Sequence, residues 1–339
     1  MQAVVVHAVD DLRVDELPDP QCGPGEVAVE VCYGGVCGSD LHYWQHGHAG
    51  TSILREPMVL GHEVSGRIAA IGTGVSDLPV GTPATVHPAT TCRDCPECAR
   101  GDLHLCRNVR YLGSAAHYPH TPGAFSRYRV VPADQIRVLP PAVPLHHGAV
   151  AEPLAVALHA VARAGSDAMR DANVLVNGAG PIGCLTVAAA KAAGAARVVA
   201  ADLLPEAVQV ATALGADATV IIGREELPSE MDVVFEASGA PAALAASLGA
   251  VRRGGTFVQL GMLPPGEITA PLGISVACEL TIRGAYRFDT EFDDALGLLA
   301  GGLNVEPLLT QTMPADDALA AFDVARDRRR SSKVLLSFG

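Results

Sequence analysis

Residues 173 to 202 hold the pattern that most narrows what this chain can fold into. An apolar run, Asn173-Val174-Leu175-Val176, leads into Gly178-Ala179-Gly180-Pro181-Ile182-Gly183 and then an Ala-rich stretch from Cys184 to Ala193. A second apolar run, Arg197-Val198-Val199-Ala200-Ala201, ends in Asp202, 19 positions after the last glycine. A lone G-x-G-x-x-G says little. Set between a strand and a helix, with an acid at that distance, it is a dinucleotide fingerprint. The glycines permit a tight turn and close approach to a pyrophosphate, which rests on the N-terminus of the helix that follows, beside Pro181 and Ile182. Asp202 is expected to bind the adenosine ribose hydroxyls and to repel a 2′-phosphate. The next residues, Leu203 and Leu204, offer no arginine for such a phosphate. The expected cofactor is NAD, not NADP.

The βα alternation continues downstream. Helices are expected at 205–214 and 241–251, and strands at 219–222, 232–236, 256–260 and 280–283. With the first two strands these make six, the count of a doubly wound parallel sheet of the Rossmann type, so the class is α/β. Gly239 and the turn Leu260-Gly261-Met262 fall at carboxyl ends of strands, where open sheets of this kind bind ligands.

The first 150 residues read differently. Short apolar runs separated by Pro/Gly clusters such as Pro18-Asp19-Pro20 predict an irregular β domain. Within it, Cys37-Gly38-Ser39-Asp40-Leu41-His42 and Gly61-His62-Glu63 supply a thiolate, an imidazole and a carboxylate. A catalytic zinc takes about three protein ligands and keeps one position open. Cys37, His62 and Glu63 supply three, or Glu63 yields to Glu152, a carboxylate set among apolar residues that should be paired or ligating. The sequence leaves that choice open. Ser39 and His42 suit a hydroxyl-to-imidazole path that carries a proton to solvent, and Asp40 suits an anchor for a ligating histidine. The plainer alternatives are a small buried thiol, solvated polar turns, and a helix-start carboxylate at 152.

A second cluster, Cys92, Cys95, Cys98 and Cys106, has the spacing C-x2-C-x2-C-x7-C. Four soft ligands so close together predict a closed tetrahedral structural zinc, with an iron–sulfur cluster or spare thiols as alternatives. Two zinc ions per chain are therefore expected, one catalytic and one structural.

At 339 residues the chain has room for about two domains. Its net charge of −13 argues against a nucleic-acid partner, which needs clustered positive charge. No apolar stretch of about 18 residues predicts a membrane span. Nine cysteines with no secretory pattern at the N-terminus point to a reducing compartment, so the expected location is cytoplasmic.

Cys37-Gly38-Ser39-Asp40 followed by Gly61-His62-Glu63-Val64-Ser65-Gly66 resembles the signature of the zinc-dependent medium-chain alcohol and polyol dehydrogenases, and the resemblance runs over nearly the whole chain. It implies a GroES-like catalytic domain made of residues 1–151 and 289–339, discontinuous because the tail returns to it. It implies an NAD-binding Rossmann domain at 152–288. In that family the glutamate of the Glu152-Pro153-Leu154 segment faces the catalytic zinc, as a ligand or one water away. Gly239, Leu260, Gly261, Met262, Tyr286 and Arg287 are implied beside the cofactor. A homotetramer or homodimer is also implied.

The expected substrate is a small polyol or sugar acid. Tyr43 and the donor-rich segment 110–120 suggest a wall for a polyhydroxylated ligand, unless these polar loops are merely solvated. Arg287 matches an arginine that contacts substrate in sorbitol dehydrogenase-like enzymes. Phe288 stands where those enzymes have tyrosine, and Ala207 stands where they have an arginine near the ribose acid. Segments 110–125, 284–292 and 302–309 look more like bacterial L-idonate 5-dehydrogenases than animal sorbitol dehydrogenases. That implies oxidation of L-idonate to 5-keto-D-gluconate, with a neutral-polyol dehydrogenase as the alternative. A non-catalytic, zinc-stabilised nucleotide-binding protein is the reading from another class.

Overall fold

The computed structural model describes all 339 residues. The chain forms two compact units, Met1–Glu152 with Phe292–Gly339, and Pro153–Glu291. The sequence boundaries were expected at 151/152 and 288/289; the observed seams lie at 152/153 and 291/292.

In the first unit the organising strand is β1 (Glu26–Gly35), which leads into helix α1 (Gly38–His46). Strands β2 (Glu63–Ile71), β3 (Pro83–Val86), β4 (Tyr128–Pro132) and β5 (Ile136–Val138) follow. β2 and β4 both pair antiparallel with β1, β3 pairs with β2, and β5 pairs with β3. Val27, Val29 and Val31 of β1 meet Val64 and Ile68 of β2 in the buried core, with Phe125 and Phe322. β-branched residues dominate those strands because they pack well on a pleated surface.

Helix α2 (Ala151–Ala164) crosses the seam between the units. The second unit then runs β6 (Asn173–Asn177), α3 (Pro181–Ala192), β7 (Arg197–Asp202), β8 (Ala218–Ile221), β9 (Met231–Glu236), β10 (Val251–Gln259) and β11 (Thr281–Gly284). All six strands are parallel, in the order β8-β7-β6-β9-β10-β11. That order reverses between β6 and β9, which is where a doubly wound sheet opens a ligand crevice. The central strands β6, β7 and β9 are buried on both faces, as a sheet covered by helices requires.

The tail carries β12 (Leu309–Pro314) and β13 (Lys333–Ser337). β13 pairs antiparallel with β1, Leu335 opposite Gly35 and Ser337 opposite Tyr33, and β12 runs parallel beside β13. The last strand of the chain thus lies against the strand that delivers Cys37. No helix is long and apolar enough to cross a membrane.

Candidate active site

Cys37 caps α1 directly after β1. Three residues on, Asp40 is completely buried, and its two oxygens accept hydrogen bonds from Cys37 N (3.0 Å) and Gly61 N (3.2 Å). The carboxylate reaching back to the cap N–H is a normal helix-start device. Here it also ties the Cys37 turn to the turn before His62. Gly61 sits at φ +92°, and a Cβ there would lie 2.0 Å from the Phe125 ring. Only glycine can make that turn.

These turns bring Cys37 Sγ, a His62 ring nitrogen and a Glu63 carboxylate oxygen within 4.8 Å of one another. His62 Nδ1 is 3.9 Å from Asp40 Oδ1, so Asp40 steadies the backbone on both sides of the site more than it bonds the ring. Glu63 is 1% exposed and meets Lys333, 3% exposed, whose Nζ donates to both carboxylate oxygens (2.8 and 2.7 Å) and to Val36 O (3.1 Å). Glu152 is buried close by and accepts from the Tyr111 hydroxyl at 2.5 Å.

The charge on this cluster is lopsided. Burial pushes the carboxyls of Asp40 and Glu152 up, with His62 pulling both the other way. Burial alone would lower the His62 pKa, but Cys37, Asp40 and Glu152 outweigh it and raise the pKa well above the ordinary value. Burial likewise opposes the Lys333 charge, and Glu63 with Cys37 overcomes it. Lys333 and His62 stand among one thiol and three buried carboxyl groups. A divalent cation is what such a donor set lacks, and thiolate, imidazole and carboxylate are zinc ligand types. The residues fit the metal.

Ser39 is half-buried next to Cys37, and His42 lies one turn on, exposed, on the same face of α1. The rings of His42 and His46 are 5.6 Å apart, and those of His46 and His48 are 6.1 Å apart, so imidazoles continue toward solvent. The Tyr43 ring belongs to the core and its hydroxyl oxygen accepts from Ala115 N at 3.0 Å, which braces the loop. The expected donor wall is also largely spent on itself. Arg110 donates to Pro119 O, the His117 ring bonds Val109 O, and the His120 ring bonds His117 O and Arg55 N.

The second cysteine cluster is equally compact. Sγ of Cys92, Cys95, Cys98 and Cys106 all lie within 4.8 Å, with Cys95–Cys98 at 3.5 Å and Cys92–Cys106 at 3.4 Å. Those spacings are far longer than a disulfide and near the edge of a zinc–thiolate tetrahedron, about 3.8 Å. Backbone N–H groups of Cys98 and Arg107 lower Cys95 to about 7, while desolvation and the neighbouring thiols push Cys98 up to about 12. Four thiolates do not coexist here without a cation, which is the condition zinc meets.

In the second unit Asp202 ends β7, and its oxygens accept from Ala179 N (2.8 Å) and Leu204 N (3.1 Å). The acid therefore braces the glycine loop. Gly178, at φ +102°, approaches so close to the next loop that a Cβ would lie 2.6 Å from Ser238 N. Gly180 caps α3, with Pro181, Ile182 and Gly183 in its first turn. Gly239 and Gly261 are pressed together at the ends of β9 and β10, next to Leu260. Met262, Leu203 and Tyr286 are exposed, and Phe288 is buried. Arg287 has φ +55°, and its guanidinium stacks 4.8 Å above the Tyr286 ring.

The comparisons with known proteins agree with this geometry. Residues 23–141 match the alcohol dehydrogenase GroES-like domain, and residues 181–301 match the zinc-binding dehydrogenase domain. Sorbitol dehydrogenase of Gallus gallus is 37% identical, over 98% of this chain and 95% of its own length. L-idonate 5-dehydrogenase (NAD(P)(+)) of Escherichia coli K12 is also 37% identical, over 91% of each chain. The crystal structure of L-idonate 5-dehydrogenase from E. coli K-12 superposes with a TM-score of 0.94 at 35% identity, covering 99% of this chain and 98% of that one. The chain belongs to the zinc-containing medium-chain dehydrogenase family.

As a zinc-containing medium-chain dehydrogenase, it is an enzyme that uses zinc and a nicotinamide dinucleotide, NAD(P). Three of its buried polar residues escape a sequence reading. Lys333 is one of only two lysines and stands in an apolar strand, which marks it as unusual, but its partner is 270 positions away. Tyr111 lay in a segment of many donors, with nothing to single it out. Glu236 ends β9, and its carboxylate accepts from Ser238, from Gly239 N (3.1 Å) and from Gln259 Nε2 (2.5 Å). It locks the loops that present Gly239 and Gly261.

Proposed function

We propose that this dehydrogenase oxidises a secondary alcohol of a sugar acid or polyol with NAD, and that its preferred substrate is L-idonate, giving 5-keto-D-gluconate. The observation that carries the reading is the buried convergence of Cys37, His62 and Glu63, braced by Asp40 and charge-balanced by Lys333. These three residues are the ligands we assign to the catalytic zinc. Glu152, held by Tyr111, is assigned to the open side of the site. When bound, zinc supplies a Lewis acid that lowers the pKa of the alcohol, and NAD supplies the hydride acceptor. Ser39 takes the hydroxyl proton, and His42 passes it to solvent. The carbinol C–H bond breaks as the C=O bond forms, leaving a ketone, NADH and one proton. The four cysteines from Cys92 to Cys106 hold a second, closed zinc.

For the cofactor, Asp202 is assigned to the ribose diol, α3 and the glycine loop to the pyrophosphate, and Gly239 with Leu260–Met262 and Tyr286–Arg287 to the nicotinamide side. Leu203 and the absence of a nearby cation after Asp202 support NAD over NADP. Asp202→Ala should raise the KM for NAD and narrow its advantage over NADP by ten-fold or more, since one charged hydrogen bond is worth roughly 1.5–3 kcal/mol. A wild-type enzyme that turns over faster with NADP than with NAD contradicts the assignment.

The substrate carboxylate is assigned to Arg287, with His46 and His48 as further donors. A charged hydrogen bond there favours an aldonate over the matching neutral polyol by about ten-fold or more. The neutral-polyol reading is favoured by one observation: Arg110, His117 and His120 make hydrogen bonds within their own loop. Comparing kcat/KM for L-idonate, sorbitol and xylitol at saturating NAD decides between them. L-idonate should lead; a lead by sorbitol or xylitol moves the enzyme to the polyol branch.

A homo-oligomer fits the second unit's edge. Every residue of β11 is exposed, with Ile282 43% and Val276 of the preceding helix 81% exposed. An unpaired sheet edge with exposed apolar residues beside it is a ready surface for a second copy. A single-chain mass by light scattering excludes this. Nine free thiols suit a reducing, cytoplasmic setting.

A further inference from the structure

Beyond these two zinc sites, a third group of metal-ligand side chains converges on the first unit's surface. His146 and His147 lie in the one-turn helix Leu145–Gly148, and Glu306 opens the turn Glu306–Leu308. Their ligand atoms lie within 4.8 Å of one another. Nε2 of His146 is 3.1 Å and Nε2 of His147 is 2.7 Å from the same Glu306 oxygen. Neighbours on a helix project about 100° apart, so two adjacent rings do not normally meet on one atom. Here their centroids are 4.4 Å apart, and the His146 ring is also fixed edge-on against Tyr33 at 5.9 Å. The backbone N–H of Glu306 is held by Asn304 Oδ1 at 3.1 Å, which steadies the carboxylate's chain segment.

We propose that His146, His147 and Glu306 form a third metal site, open to solvent, for a divalent transition ion such as Zn2+, Co2+ or Ni2+. Imidazole and carboxylate together select ions of this borderline class over Mg2+ or Ca2+. The spacing is right for it. Ligand atoms about 2.0–2.1 Å from a tetrahedral ion stand about 3.3 Å apart, so the observed 2.7 and 3.1 Å need open by only a few tenths of an ångström. Three ligands leave room for water, and Glu306 is 61% exposed, so the ion enters directly from solvent. Bound there, it would clamp the segment just before Glu152 to the tail segment that begins the last two strands. The affinity is expected to be weaker than at the thiolate sites, which supply softer and more numerous donors.

The test is equilibrium dialysis against Co2+ of protein brought to two zinc ions per chain, counting both metals. Wild type should take up one Co2+ per chain while keeping its zinc. Its visible spectrum should lack the intense charge-transfer absorption of cobalt bound to thiolate. His146→Ala/His147→Ala and Glu306→Gln should each weaken that uptake at least ten-fold with zinc content unchanged. No Co2+ taken up by zinc-loaded wild type, uptake only with loss of zinc, or unchanged uptake by the variants overturns the site. None of these outcomes bears on the dehydrogenase reading, which turnover measures separately.

Discussion

Replacing Cys37 by serine should abolish turnover in a protein that stays folded and keeps about one zinc per chain. The thiolate is the softest donor of the catalytic set, and serine offers zinc far weaker ligation at neutral pH. Zinc contributes several kcal/mol of charge stabilisation in reactions of this kind, so kcat/KM should fall by about 10³-fold or more. The fold should survive because the backbone of the turn is held by Asp40, which accepts from Cys37 N whatever side chain stands there. The four-cysteine site, with its own ligands, should keep its metal. Metal analysis with steady-state kinetics reads both halves. A Cys37→Ser enzyme with two zincs and full activity would remove Cys37 from the catalytic site.

Lys333→Met should be the most destabilising single change at the site that replaces no proposed zinc ligand. Lys333 and Glu63 are both almost fully buried, and the ammonium serves both carboxylate oxygens. Removing one partner of a buried pair costs about 3–5 kcal/mol because the other charge is left without compensation. Zinc affinity should change as well, since the carboxylate loses the group that orients it. Denaturant unfolding of Lys333→Met against the double variant Lys333→Met/Glu63→Gln separates the causes. The double variant should recover most of the loss; equal losses in both would mean that packing, not charge, sets the cost. The pH sign follows from Lys333, whose pKa is raised in the folded state. Its contribution is fully present below the unfolded lysine value of about 10.4 and is lost only as pH rises through the higher folded value. The wild-type advantage over Lys333→Met should therefore persist through neutral and mildly alkaline pH.

The second unit was legible because its signals are local. A strand, a glycine turn, a helix and an acid occupy about thirty consecutive residues, and the parallel order follows from repeating that unit. The thiolate cluster was legible for the same reason. The first unit was harder, since its sheet joins β1 to β13 across nearly the whole chain, and no periodicity announces such a pairing. Within the site, Cys37 and His62 could be named from residue type, but the partners of Glu63 and Glu152 lie far away in sequence. Lys333 claims both oxygens of the one and Tyr111 one oxygen of the other. Counting donors in segment 110–120 ignores intraloop hydrogen bonds. His117 and His120 close the loop on itself, and the Tyr43 hydroxyl oxygen accepts from Ala115 N.

The proposed function requires a zinc held by Cys37, His62 and Glu63 for hydride transfer from a sugar-derived secondary alcohol to NAD. The direct measurement is NADH formation from L-idonate before and after zinc is withdrawn with a chelator, then with zinc restored. Turnover should be present at the start, vanish as the more accessible zinc leaves, and return with zinc in proportion to the metal rebound. NADH formation that continues undiminished after both zinc ions have been removed, or no formation from L-idonate, sorbitol or xylitol in the fully loaded enzyme, would contradict it.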